Sequence, residues 1–441
     1  MLTILKHPTF ARLFGAQVVA LIGTGLLTIA LGLLAYDLAG PKAGAVLGMA
    51  YTIKMVAYVG LSPVMGALVA RMPRRAVLIT ADLIRLAVAL CLPFVETVTQ
   101  VYALIFVLQA ASATFTPTFQ ATIPDVLPDE ADYTRALSLS RLAYDLENLL
   151  SPALAGLLLL FMSYNNLFLG TALGFLLSTL LIWQTRLPAQ SDRTQRPFLQ
   201  RVTRGSWIYL ATPRLRGLLA YNTAAAAAGA FVLVNTVVVV RDTYGQGDTG
   251  LALAMGAFGT GSMMAALLLP RLLDTVPDRP VMSTAAFALS ALTLMHGAIF
   301  AFIGPLSWPA LLVVWLLAGA LYSAVLTPSG RLLRRSAHAE DRPAVFTAHF
   351  ALSHGSWLIA YPLAGWSGVT FGLSGSLLIM GALALVATLI GRLLWHAAPA
   401  EIEHEHTDLP EDHPHLQKYG GRRHSHAFVI DDEHHVWPTN G

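Results

Sequence analysis

The 441-residue chain has a single cysteine, Cys91, which excludes an internal disulfide framework and any cysteine-based metal site. Charge is scarce as well. Asp, Glu, Lys and Arg make up 12% of the residues, roughly half the share of a soluble globular domain. Nowhere do apolar and polar residues alternate in the dyad pattern of a membrane barrel. The chain has no phosphate-cradling glycine loop, no nucleophile constellation and no soluble domain large enough to hold either, so it is not expected to be an enzyme. A cleavable leader is not expected: the first apolar stretch is too long, and no small-residue cleavage site follows it.

What the chain has in quantity is apolar length. Hydrophobic residues reach 55%, and from Leu13 to His396 one apolar run of about 20 residues follows another, each able to cross a hydrocarbon core of about 30 Å. Twelve spans are predicted, at residues 13–36, 44–70, 76–95, 100–120, 138–162, 165–186, 217–240, 248–270, 280–303, 307–330, 344–370 and 374–396. Lipid offers backbone groups no hydrogen-bond partners, so the spans must be helices and the fold class is an all-α membrane protein.

Lys and Arg in short loops orient such a bundle. The N-terminal segment and alternate loops carry nineteen, from Lys6 and Arg12 through the seven arginines between Arg186 and Arg216 to Arg342; the other loops carry two, Lys42 and Arg241. A multi-pass inner (plasma) membrane protein with both termini in the cytoplasm is expected. The net charge of +3 hides two parts: residues 1–399 hold 25 basic and 16 acidic groups, residues 400–441 hold 3 and 9. The basic excess follows from topology and implies no nucleic-acid partner. The partners expected are lipid, protons and a small ion or small-molecule substrate. No oligomer is required.

The chain divides into a six-helix half at 1–186, a basic linker at 187–216, a second six-helix half at 217–396 and a tail at 397–441 read as flexible. The halves echo one another. Thr116-Pro117 and Pro152-Ala153-Leu154-Ala155-Gly156 are matched by Thr327-Pro328 and Pro362-Leu363-Ala364-Gly365. The prolines lie 35 residues apart in the first half and 34 in the second, counted from 117 to 152 and from 328 to 362.

Gly66-Ala67-Leu68-Val69-Ala70-Arg71-Met72-Pro73-Arg74-Arg75, between spans 2 and 3, resembles the signature loop of the major facilitator superfamily. Ala70 stands where that pattern has Asp and Pro73 where it has a second Gly, so Asp82 and Arg85, one to two turns into span 3, are candidates for part of the loop's charge role. The segment from Thr116 to Pro128 resembles the branch of macrolide and siderophore exporters. The resemblance covers the whole membrane domain and implies two six-helix halves rocking about a central site, driven by inward proton movement.

Span 5 carries Arg141-Leu142-Ala143-Tyr144-Asp145-Leu146-Glu147. In the exporters it resembles, the positions of Asp145 and Glu147 are neutral. Acids within a membrane cost several kcal/mol unless they face a wet cavity or a partner. Asp145 lies one turn from Arg141, a spacing that also suits a plain ion pair. Glu147 points roughly 200° away from Asp145 around the helix, so the two are expected to do different jobs, at least one of them binding a cation or carrying the coupling proton. Span 11 offers His349 and His354, and the repeat sets His354 opposite Tyr144, beside Asp145. Lys54 in span 2 is either a counter-ion to one of the acids or a snorkelling side chain. His296 in span 9 has no evident partner and reads as a core residue.

The tail changes character abruptly. It holds Glu403-His404-Glu405-His406, Asp412-His413-Pro414-His415, His424-Ser425-His426 and Asp431-Asp432-Glu433-His434-His435. Imidazole beside carboxylate, repeated, suits borderline divalent metals, and His-x-His spacing lets two rings meet one ion. With its acidic span 5, the chain resembles nickel-resistance permeases that end in histidine-rich tails. That resemblance implies proton-coupled export of nickel, or cobalt, with the metal as substrate and no tightly bound cofactor. Two alternatives stand beside it: efflux of an organic compound such as a drug, macrolide or siderophore, and a metal sensor that does not transport.

Overall fold

The computed structural model describes residues 2–61, 72–127, 154–187, 198–273, 275–338, 341–396, 401–406 and 409–438, together with 129, 132, 136, 139, 140, 143, 147 and 151. Gly66, Arg71, Arg141 and Asp145 lie outside the described residues. The first half contains α1 (Pro8–Ala39), α2 (Ala43–Val56), α3 (Arg74–Cys91), α4 (Val98–Val126) and α5 (Asn165–Trp183). Of span 5, residues 139, 140, 143, 147, 151 and 154–158 are helical. A linker helix, α6 (Phe198–Ala211), leads to α7 (Pro213–Val238), α8 (Asp248–Leu273), α9 (Asp278–Phe302), α10 (Trp308–Leu326), the short α11 (Ser329–Arg335) and the long α12 (Arg342–Leu394).

Nine stretches among the described residues are long and apolar enough to cross a membrane. Two of them, Pro8–Leu61 and Ala344–Leu394, each contain two crossings. The first is divided by a turn at Gly40–Lys42. The second breaks at Gly372, whose φ of 72° is left-handed and suits a residue without Cβ. With span 5 these make the twelve crossings of an all-α bundle.

Local chemistry explains several helix ends. Thr97 and Gln100 form a reciprocal capping box at the start of α4. Pro8 and Pro213 take the first helical positions of α1 and α7, where a missing N–H costs nothing. Helix α7, with its run of alanines from Ala224 to Ala228, is buried nearly all round and forms the spine of the second half.

The halves meet where small residues permit close approach. A Cβ on Gly48 of α2 would lie 2.7 Å from the Tyr361 carbonyl oxygen and 3.3 Å from Gly365 Cα of α12. The Asn235 amide of α7 donates to the Ala364 carbonyl at 3.0 Å beside this contact. At the end of the bundle away from the termini, the Tyr36 hydroxyl of α1 donates to Asp242, just beyond α7, and the Arg241 guanidinium sits 5.7 Å above the Tyr36 ring.

The tail differs from its reading as a flexible segment. Strand β1 (Ile402–Glu405) pairs antiparallel with β2 (Arg423–His426), His404 facing His424, and helix α13 (Pro414–Tyr419) lies between them in sequence. Ile402, Phe428 and Ile430 join the same core as the helices of the bundle, giving this short stretch the apolar support it lacks by itself.

Candidate functional site

Two groups of ionisable side chains stand out, one within the bundle and one in the tail. In the bundle, Glu147 of span 5 is half-buried against α1, where Gly25 leaves room: a side chain there would collide with Ser151 and approach Glu147 Cγ. Lys54 of α2 is within electrostatic reach of both Glu147 and His354. Its ammonium also lies 5.9 Å from the Tyr58 ring centroid. His354 Nδ1 hydrogen-bonds to the Phe350 carbonyl at 2.7 Å. A carbonyl only accepts, so the proton sits on Nδ1 and Nε2 keeps its lone pair. One acid, one amine and one imidazole, from three helices of both halves, thus share a neighbourhood.

His349 does not join them. Its Nδ1 lies 3.0 Å from the Tyr209 hydroxyl of α6 and the rings stack at 5.8 Å, so it fastens the linker helix to α12. His296 packs edge-on against Trp315 at 5.6 Å, deep in the second half, as a core residue does.

Asp82 and Arg85 form a separate, buried group. They pair with each other inside α3, Ser178 of α5 donates to Asp82 at 2.7 Å, and the Arg85 guanidinium lies 4.2 and 4.6 Å from the Phe115 and Phe175 ring centroids. The i, i+3 spacing turns both onto the buried face of α3. The loop arginines find other partners: Arg74 pairs with Asp125 at the end of α4, and Arg75 donates to the Trp183 carbonyl at the end of α5. In the second half, Asp278 at the start of α9 pairs with Arg331 and Arg335 of α11 at 2.5 and 3.0 Å. The two halves therefore use the same kind of link with the charges exchanged between its ends.

The tail gathers six of its eight histidines. Because alternate residues of a strand share a face, His404 and, across the ladder, His424 and His426 point together, and His406, His415 and His434 close around them. Two sets of four, His404–His406–His415–His434 and His404–His415–His424–His426, each have ligand atoms within 4.8 Å of one another. The other two histidines are spent elsewhere. His413 Nδ1 accepts from the His415 amide as the cap of α13, and the His435 ring lies 5.9 Å from Trp207 of α6. Burial and neighbouring imidazoles depress the basicity of His404, His415 and His426, that of His415 to about 4, so the rings are neutral near pH 7.

Asp431 ties this cluster to the bundle. Its Oδ1 accepts from His434 Nδ1 at 2.8 Å and its Oδ2 meets His338 Nε2, ahead of α12, at 3.0 Å. Burial works against the charged carboxylate, but bonds from the His434 ring and from the Glu433 and His434 amides hold it well below the usual range. Next to it, Asp432 pairs with Arg204 of α6 at 2.6 Å, and Arg204 also pairs with Asp341 at 2.6 Å. Tyr58 and Tyr209 escaped the sequence reading; Asp431 and Arg204 entered it only as a tail carboxylate and a linker arginine, although the Asp-x-x-His spacing of 431 and 434 is a local signal for the first.

Comparison with known proteins follows the fold. The Major Facilitator Superfamily profile matches residues 13–294 and 217–428. Macrolide efflux protein A of Streptococcus pyogenes is 24% identical over 295 residues, 65% of this chain and 71% of that protein. Macrolide efflux protein A of Enterococcus faecalis is 24% identical over 54% of this chain and 75% of its own length. Among solved structures, a bacterial homologue of the human lysosomal transporter Spinster, inward-facing and unoccupied, superposes with a TM-score of 0.69 at 12% identity, covering 88% of this chain and 96% of the other. A D-xylose–proton symporter superposes with a TM-score of 0.63 at 15% identity over 88% and 96%.

Proposed function

From the premise that the chain belongs to the Major Facilitator Superfamily and is a secondary transporter of that type, we propose that it exports a divalent transition metal, nickel or cobalt, from the cytoplasm in exchange for protons. The observation that carries this reading is the convergence of six imidazoles in the tail, docked on one end of the bundle. The Lys and Arg asymmetry of the loops assigns that end to the cytoplasm of an inner-membrane protein. Metal would therefore meet this cluster on the side from which it must be removed.

Within the bundle, Glu147 and His354 Nε2 supply an oxygen and a nitrogen donor, a pair that suits a borderline cation. Lys54 supplies an internal positive charge. In the inward-facing state the metal displaces Lys54 from Glu147; after the halves rock, a proton reaching Glu147 from outside releases the metal, and Lys54 resets the site on return. Glu147 thus alternates between metal, proton and ammonium, the exchange an antiporter needs.

A second reading is favoured by the similarity to macrolide efflux proteins: Glu147 and Lys54 then serve coupling for an organic substrate. Inverted membrane vesicles with an imposed pH gradient separate the two. Nickel accumulation that depends on the gradient and is lost in Glu147→Gln supports metal export. Macrolide accumulation without nickel flux transfers the assignment to organic efflux.

A further inference from the structure

The tail cluster is more specific than a histidine-rich composition. Five of the six rings are held by Nδ1: His404 by the Ile402 carbonyl at 2.9 Å, His424 by Gly421 at 2.7 Å, His426 by Ala427 at 3.1 Å, His415 by the Glu433 carboxylate at 2.8 Å and His434 by Asp431 at 2.8 Å. Carbonyls and carboxylates accept only, so these Nδ1 atoms carry the protons. Five Nε2 lone pairs remain, and they face each other. His415 Nε2 lies 3.0 Å from that of His424 and 3.3 Å from that of His426, and His434 Nε2 lies 3.2 Å from that of His404. Lone pair against lone pair at such distances is repulsive unless a cation lies between. Backbone and carboxylate support behind these five rings is the arrangement that orients imidazole ligands of a metal.

The number of ions follows from the overlap of the two sets. Both use His404 and His415, and each of these rings has one free lone pair, so only one ion can be held at a time. His406 and His434 flank that locus in one set, His424 and His426 in the other. A four-coordinate ion engages one of these pairs and leaves the other turned inward but unbound; a six-coordinate ion engages both. With metal–nitrogen bonds of about 2.0–2.1 Å, neighbouring nitrogens lie about 3.0 Å apart on an octahedron and about 3.3 Å apart on a tetrahedron. The separations are compatible with either geometry, so the ligand count decides.

We infer that the tail is a single-ion site in which His404, His406, His415, His424, His426 and His434 together hold one six-coordinate divalent metal. Such a site suits nickel or cobalt better than zinc, whose closed protein sites are four-coordinate. The inference rests on the metal reading of the tail and names its coordination and its selectivity.

The test uses the purified full-length chain, stripped of metal and loaded with cobalt(II), then nickel(II). One ion per chain and the weak visible absorption of six-coordinate cobalt are expected. The double variant His424→Ala with His426→Ala should still bind one ion, more weakly, with the intense absorption of four-coordinate cobalt. Intense absorption from the unaltered chain, two ions per chain or no bound ion would overturn the inference, as would an unchanged weak spectrum in the double variant. If that variant does not fold, the spectrum and stoichiometry of the unaltered chain decide alone. Vesicle flux is a separate readout: a six-coordinate ion without nickel transport removes the export reading only, and nickel transport with a four-coordinate tail removes this inference only.

Discussion

Tyr36 at the end of α1 donates its hydroxyl hydrogen bond to Asp242 beyond the end of α7, which joins the two halves of the bundle at the end opposite the termini. That contact must break for the far end to open. Tyr36→Phe removes one exposed hydrogen bond, a change of about 1 kcal/mol, or several-fold in the balance between closed and open states. Spin labels at Lys42 and Gln246 should show a larger population at long separation in the variant. An unaltered distribution would mean that the remaining contacts between the halves, the glycine packing and Arg241 over the ring at position 36, keep this end shut.

Gly48 tests those contacts. A methyl group there meets backbone of α12 that cannot rotate out of the way, 2.7 Å from Tyr361 O, whereas one at Gly60 meets nothing within 4 Å among the described residues. Gly48→Ala should lower the thermal midpoint in detergent by an amount corresponding to about 1–3 kcal/mol. Gly60→Ala, in the turn after α2, should leave it unchanged or raise it slightly, because the helical backbone loses freedom only in the unfolded chain.

Asp431 orients His434 by one oxygen and meets His338 by the other. Asp431→Asn should weaken nickel binding by the full-length chain about 10- to 100-fold, the usual cost of losing an outer partner of a metal-bound histidine. His338→Ala, which touches no ring of the cluster, should change the affinity far less while making the tail easier to cleave by protease. Equal losses in both would show that docking, rather than ring orientation, sets the affinity.

The metal-free tail should be acid-sensitive. Burial and the neighbouring imidazoles lower the pKa of His404, His415 and His426 from 6.5, that of His415 to about 4. An unfolded tail takes up these protons first, so their contribution to folding is complete above pH 6.5, declines as the pH falls below it and is gone by about pH 4. Histidine proton resonances of the stripped protein, followed from pH 8 to 4, should report opening of the β1–β2 ladder in that window. Retention of the ladder at pH 4 would contradict the burial of these rings.

Much of the bundle is legible along the chain because the bilayer acts on every span alike. A run of apolar residues is sufficient evidence of a crossing, and the break at Gly372 falls between the spans predicted at 344–370 and 374–396. The metal-like composition of the tail is equally local. What composition could not separate is the role of each histidine: eight looked equivalent, yet His413 caps a helix and His435 lies against Trp207. In the bundle, His349 and His354 lie five residues apart on one helix, and only the position of Tyr209 and Lys54 on other helices distinguishes them.

By itself the sequence determined that this is a helical membrane bundle of two related halves, with a tail rich in metal-type donors, because hydropathy and donor chemistry are properties of residues near one another in the chain. Tertiary structure decided which donors meet. The pairing of His404 with His424, the approach of Lys54 to Glu147 and His354, and the reach of Asp431 to His338 join residues far apart in sequence. Only packing of the whole chain brings these residues together.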